Sequence, residues 1–172
     1  TRLGTIVGNV FSAPWNTRTA RVVPRPDNVP LAGGGVEVDC AILYADLAES
    51  SALASDHDRR TAAKIVKAFL TCASQIVRWN DGEITSFDGD RVMSVFMGER
   101  KCTHALKSAL QINYAVRNIV APRAAQAFAN ITEASVRHGV GVDRGTVFAV
   151  RSGLPGRNDL IWIGRAPNMA AW

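Results

Sequence analysis

The chain alternates between two hydrophobic periods. Val36, Val38, Cys40, Ile42 and Tyr44 alternate with Glu37, Asp39, Ala41, Leu43 and Ala45. The second half is apolar on both faces, which predicts a central strand ending at Asp46. From about Asp58 to Asn80 the period lengthens. Ile65, Phe69, Cys72, Ala73 and Ile76 form one stripe, which predicts an amphipathic helix stopped by Asn80-Asp81-Gly82. Two short strands follow, at about 83–87 and 91–96. Asp88-Gly89-Asp90 between them is a hairpin signal, because Asp-Gly accepts the positive φ of a tight turn. Residues 102–120 predict a second helix, with Ala105, Leu106, Ala109, Ile112, Val116 and Ile119 inward and Pro122 beyond its end. Strands are predicted at 134–143 and 146–151, around Arg144-Gly145, and at 160–163. A last helix opens near Pro167. Two helices among mostly antiparallel strands give an α+β fold with a split βαβ, ferredoxin-like unit.

Residues 12–35 read differently. Pro14, Pro24, Pro26 and Pro30 and the run Gly33-Gly34-Gly35 break any period. Residues 1–35 are therefore expected to be an extended N-terminal arm without a core of its own, and residues 36–172 the folded domain.

Composition narrows the class. The chain has 172 residues, 47% of them hydrophobic and 20% charged, as one globular domain with an arm requires. No apolar run approaches the roughly 20 residues of a membrane span, and no signal peptide is visible. A cytoplasmic protein without a membrane partner is expected. Cys40, Cys72 and Cys102 lack zinc-site spacing and cannot all pair, so buried thiols are expected. The net charge is +5, and residues 1–35 carry four arginines against one aspartate, so the arm holds most of the excess. That arm has too few cations and aromatics to make nucleic acid a favoured partner. His57, His104 and His138 form no ligand pattern, and Trp15, Trp79 and Trp162 read as packing residues.

Two carboxylates stand out. Asp46 ends the central strand and Asp90 closes the hairpin. In a split βαβ unit those two points share one edge of the sheet. Two converging carboxylates repel unless a hard divalent cation sits between them. The segment after Asp46 offers backbone N–H groups suited to phosphate. A metal-bound nucleoside triphosphate is the ligand these features suggest.

Four stretches then carry a resemblance. Ile42-Leu43-Tyr44-Ala45-Asp46-Leu47 and Phe87-Asp88-Gly89-Asp90-Arg91-Val92-Met93-Ser94-Val95-Phe96 resemble the two metal motifs of class III nucleotidyl cyclases. Residues 137–145 resemble that family's next strand and turn, and residues 163–171 its helix bearing a transition-state asparagine. The resemblance implies a head-to-tail homodimer with sites at the interface. Asp46 and Asp90 of one subunit would hold two Mg²⁺ or Mn²⁺ ions, and Asn168 of the partner subunit would orient the ribose. The 3′-hydroxyl oxygen would attack the α-phosphorus in line and expel pyrophosphate.

Base selection follows from departures within that family. Where adenylate-making members place a Lys, four residues before the second metal Asp, this chain has Ser86. Where they place a purine-reading Asp or Thr, it has Ile161. Tyr44 and Arg91 stand instead beside the metal positions, with Leu47 next to Asp46. Bulk there shrinks the base pocket, and donor-only Arg suits a uracil carbonyl. The pattern is similar to the pyrimidine cyclases of the bacterial Pycsar anti-phage system, which implies UTP as substrate, cyclic UMP as messenger and a downstream effector. CTP is the runner-up, followed by a conventional adenylate or guanylate cyclase and then a degenerate nucleotide sensor. Tyr44 as a plain strand residue, and Arg91 paired with Asp88 or Glu83, are the competing local readings. The family's phosphate-stabilising Arg falls at Trp172, with Arg165 as a weak substitute.

Overall fold

The computed structural model describes residues 1–171, so Trp172 and its place in the family pattern lie outside the described residues. A single mixed sheet organises the fold. Its strands are β1 (Asn16–Thr19), β2 (Gly34–Ala48), β3 (Glu83–Asp88), β4 (Arg91–Phe96), β5 (Arg137–Leu154) and β6 (Arg157–Ile163). The spatial order is β3-β4-β2-β5-β6, with all of these neighbours antiparallel, and β1 runs parallel to the start of β2. The helices are α1 (Arg2–Ser12), α2 (Ser50–Asp56), α3 (Arg59–Trp79), α4 (Lys101–Ala115), α5 (Ala121–Ala127) and α6 (Arg165–Ala170). The run β2-α3-β3-β4-α4-β5 is the expected split βαβ unit.

Side-chain alternation along β2 divides the core in two. Ala41, Leu43, Ala45 and Leu47 face α3 and α4 and pack with Ile65, Phe69, Val77 and Ile112. Val36, Val38, Cys40 and Ile42 face the other way, against Val23, Val29 and the Ala166 and Ala170 of α6. Gly89 turns the β3–β4 hairpin with φ +61°, as the Asp-Gly signal requires. Among the described residues no helix is long and apolar enough to cross a membrane.

The structure corrects several expectations. Residues 1–35 are not all extended. Thr1 caps α1 by accepting the Gly4 N–H, and Leu3, Ile6, Val7, Val10 and Phe11 recur at helical spacing. Gly4 and Gly8 lower the helix propensity of the stretch but leave that period intact. Residues 16–19 join the sheet, and Val23 and Val29 close one of its faces. The two strands expected around Arg144-Gly145 are one, because β5 stays paired with β2 straight through those residues. The second helix does not end before Pro122. Val116–Val120 form one π turn, and α5 continues with Pro122 in its first turn, where a missing N–H is tolerated. Leu106 and Ile119, expected inward, are 56% and 44% exposed. The helix expected from Pro167 opens two residues earlier, at Arg165.

Candidate active site

Cross-strand pairs in an antiparallel sheet point to one face. The register sets Ser86, Met93, Tyr44 and Gly141 in one row and Asp88, Arg91, Asp46 and Gly139 in the next, on the face away from α3 and α4. Ser86, Tyr44, Asp46 and Arg91, four positions picked from sequence, therefore lie together. Glycine at 139 and 141 leaves room above β5. A Cβ on Gly141 would strike the backbone of Ala170, so α6 comes down on the strand only because that position has no side chain. The result is a cavity of about 270 Å³ lined by Tyr44, Asp46, Arg91, Gly139, Gly141 and Ala170, among others.

Within it, Arg91 Nη2 donates to Asp46 Oδ2 at 2.9 Å and Nε to the same oxygen at 3.3 Å. Its guanidinium carbon lies 5.7 Å from the centroid of the Tyr44 ring. The Tyr44 hydroxyl donates to Met93 Sδ at 3.1 Å. Burial raises the Tyr44 pKa, with Arg91 pulling it down and Asp88 adding to the rise, so the phenol stays protonated. The hydrogen bond to Asp46 raises the Arg91 pKa further, so the guanidinium stays charged, with the Asp46 carboxylate as its counter-charge. The partner of Arg91 is thus Asp46, rather than Asp88 or Glu83.

Asp90 sits one ladder step away. Its carbonyl accepts the Leu47 N–H at 3.4 Å, which brings the Asp46 and Asp90 backbones side by side. Asp90 borders a second groove of about 770 Å³ on the helix side, with Ser50, Ser51, Arg59, Lys67 and Phe87. Sequence reasoning missed Arg59 and Lys67, cations that only tertiary folding brings to this groove. Both Arg91 contacts fall on Oδ2 of Asp46, and Oδ1 has no protein donor among the described residues. Asp46 lines the cavity away from the helices and Asp90 the groove on the helix side, and each offers hard carboxylate oxygens of the kind Mg²⁺ or Mn²⁺ takes. No cluster of three or more His, Cys, Asp and Glu side chains gathers among the described residues.

Three expected residues lie elsewhere. The Leu47 side chain is buried in the helix-side core, and its backbone N–H is given to the Asp90 carbonyl. Ile161 pairs with Val150 on the opposite face from Tyr44, is 46% exposed, and lines a separate cavity with Ile6 and Trp15. Asn168 is exposed on α6 and does not border the Tyr44–Arg91 cavity.

No protein-family model matches the chain. It is 46% identical to a uridylate cyclase from Rhodovulum sp. (strain MB263) over 167 residues, 96% of this chain and 70% of that protein. It is 41% identical to a uridylate cyclase from Burkholderia cepacia over 167 residues, 96% of this chain and 72% of that protein. Its fold matches a class III adenylyl cyclase-like ATP-binding protein from Pseudomonas aeruginosa with a TM-score of 0.76 at 16% identity, over 98% of this chain and 37% of that one.

Proposed function

The chain belongs to the uridylate cyclases, nucleotidyl cyclases of the class III fold, and from that premise we propose that it converts UTP to 3′,5′-cyclic UMP and pyrophosphate. The observation that carries the reading is the cluster of Tyr44, Arg91 and Asp46 on one face of the sheet, with Ser86 in place of a purine-reading lysine. Arg91 offers only donors, which match the O2 and O4 carbonyls of uracil, and the Tyr44 hydroxyl would add one more on turning from Met93 Sδ. Arg91 is more than a third exposed, so the discrimination against a purine amino group rests on the direction of its donors more than on a burial penalty.

Asp46 and Asp90 are the residues that would hold two divalent cations, Mn²⁺ or Mg²⁺, with Arg91 sharing or releasing Asp46 Oδ2. Such cations neutralise triphosphate charge and favour the ionised ribose hydroxyl when bound. The chain's own residues orient the reactants. The ribose 3′-oxygen attacks the α-phosphorus, the bond to the bridging oxygen of pyrophosphate breaks, and the hydroxyl proton leaves to water. Arg59 and Lys67 beside Asp90 suit the leaving phosphates. A cavity of about 270 Å³ is smaller than the roughly 300–1,000 Å³ of a complete ligand pocket. That supports a homodimer in which exposed Asn168 and Ile161 of the partner subunit complete the site. The product would serve as a second messenger for an effector in anti-phage defence, as the motif resemblance implies.

One incubation tests the reading. The protein is mixed with Mn²⁺ and each of the four ribonucleoside triphosphates, and products are identified by mass spectrometry. Cyclic UMP as the main product supports it. Cyclic CMP moves the substrate to CTP. Cyclic AMP or cyclic GMP removes the pyrimidine assignment.

A further inference from the structure

The helical layer carries an uncompensated charge. α3 holds Arg59, Arg60, Lys64, Lys67 and Arg78, and the run from α4 through α5 holds Lys101, Lys107, Arg117 and Arg123, while neither contains an aspartate or glutamate. Residues 1–35 hold +3 of the net +5, yet within the remaining, nearly balanced chain these nine cations are gathered on the helices. Lys101 meets Asp39 at 2.9 Å, and the other eight have no ion pair among the described residues. Of the neighbouring carboxylates, Asp58 and Asp81 lie at the ends of α3, Glu99 precedes α4, Glu133 sits in the turn packed on α5, and Asp90 borders the groove of Arg59 and Lys67. Asp58 caps that helix and Asp81 faces His104.

The same surface exposes large apolar side chains. Trp79 is 73% exposed and Leu110 71%, and Leu106, Tyr114 and Ile119 stand out beside them. Trp79 was expected to be a packing residue. Leu106, Leu110 and Tyr114 repeat every four residues, so they form one outward stripe on α4. Asn80 Nδ2 donates to Gln111 Oε1 at 2.6 Å, which fixes the end of α3 beside the middle of α4. Trp79 and Arg78 therefore come level with Lys107, Leu110 and Tyr114. Between the helices runs an apolar groove of about 730 Å³, with Trp79, Ile119 and Phe128 in its lining and Lys64 and Arg123 at its rim.

We propose that this helical face docks on a bilayer rich in anionic lipid. Cations without counter-charges match phosphate headgroups, and Trp, Tyr and Leu between them suit the boundary between headgroups and acyl chains. The groove offers an acyl chain an apolar seat. Nucleic acid would leave Leu106, Leu110 and Ile119 exposed on its phosphates with nothing to contact. The contact is peripheral and needs no spanning helix. The Tyr44–Arg91–Asp46 cavity opens on the opposite face of the sheet, and the docking cations are those away from the Asp90 groove, Lys64, Arg78, Lys107, Arg117 and Arg123, with Arg59 and Lys67 left to that groove.

Vesicle flotation tests this. Wild-type protein is expected to float with vesicles of phosphatidylcholine mixed with phosphatidylglycerol, and to stay behind with phosphatidylcholine alone. Added salt should release it, since the attraction spans only about a Debye length of 8 Å. Arg78→Glu/Lys107→Glu is expected to weaken partitioning by about tenfold or more. Leu106→Ser/Leu110→Ser should weaken it too. All four positions are exposed, so both variants should keep wild-type circular dichroism and turnover in solution. Equal binding to both vesicle types, no binding to either, unaltered binding by the variants, or binding only to an acidic polypeptide or RNA each overturns the proposal.

Discussion

Gly141→Ala probes the contact that shapes the cavity. The added Cβ would lie 2.8 Å from the Ala170 carbonyl carbon and 3.3 Å from its Cα, with the carbonyl oxygen closer still. Carbon atoms rest about 3.5–4.0 Å apart, so α6 must retreat by about 1 Å. The obstacle is backbone, not a flexible side-chain end. Overpacking of this kind costs about 1–3 kcal/mol. For a domain of this size 2 kcal/mol lowers Tm by about 4–8 °C. Activity should suffer more, because α6 carries Asn168 and its Ala170 lines the cavity of Tyr44, Asp46 and Arg91. A 1 Å misplacement costs turnover up to about a hundredfold. Gly139→Ala is the control. It lies two residues away on the same face, and its added Cβ meets nothing within 4 Å. Thermal unfolding by circular dichroism and cyclic nucleotide production are measured on both variants. Wild-type Tm and turnover in Gly141→Ala, or equal damage from Gly139→Ala, would refute the argument.

Arg91→Leu removes the charged donor set and should lower kcat/KM for UTP by about tenfold to a hundredfold, read by initial rates. Its pair with Asp46 is more than a third exposed on both sides, so Tm should move little. An unchanged kcat/KM would separate Arg91 from substrate recognition. His138 gives a pH prediction. Burial, helped by Arg117, holds its imidazole below the ordinary pKa of 6.5, so the unfolded chain takes up a proton before the folded one does. Stability from this source is constant above about pH 6.5 and falls as pH drops through and below it. Tm measured against pH should show that fall in the wild type and a smaller one in His138→Gln, and equal slopes would assign the acid sensitivity elsewhere.

Much of the central scaffold was legible in the sequence because hydrophobic period and turn chemistry agree there. The alternation through Val36–Tyr44, the stripe Ile65–Ile76 and Asp88-Gly89 each specify one local geometry, and each element formed where expected. Elements set by tertiary pairing were not legible. Arg144-Gly145 looks like a turn, yet β2 holds both sides of it in one ladder. α1 was hidden by Gly4 and Gly8, which weaken helix propensity but leave its apolar period intact. In the site, residue type and order pointed to Tyr44, Asp46, Ser86 and Arg91, and register placed them on one face. The ion pair of Arg91 with Asp46 needed coordinates, because sequence offers Asp88 and Glu83 as equal partners. Arg59 and Lys67 carry no motif, and only the packing of α3 against the hairpin brings them near Asp90.

The most direct test of the paired aspartates combines Asp46→Ala and Asp90→Ala with Mn²⁺ binding read by electron paramagnetic resonance and cyclic UMP formation read by mass spectrometry. Both variants should fold with near wild-type Tm, bind Mn²⁺ with UTP more weakly than the wild type, and make no cyclic product. A folded Asp90→Ala protein that binds Mn²⁺ normally and turns over UTP at the wild-type rate would contradict the account.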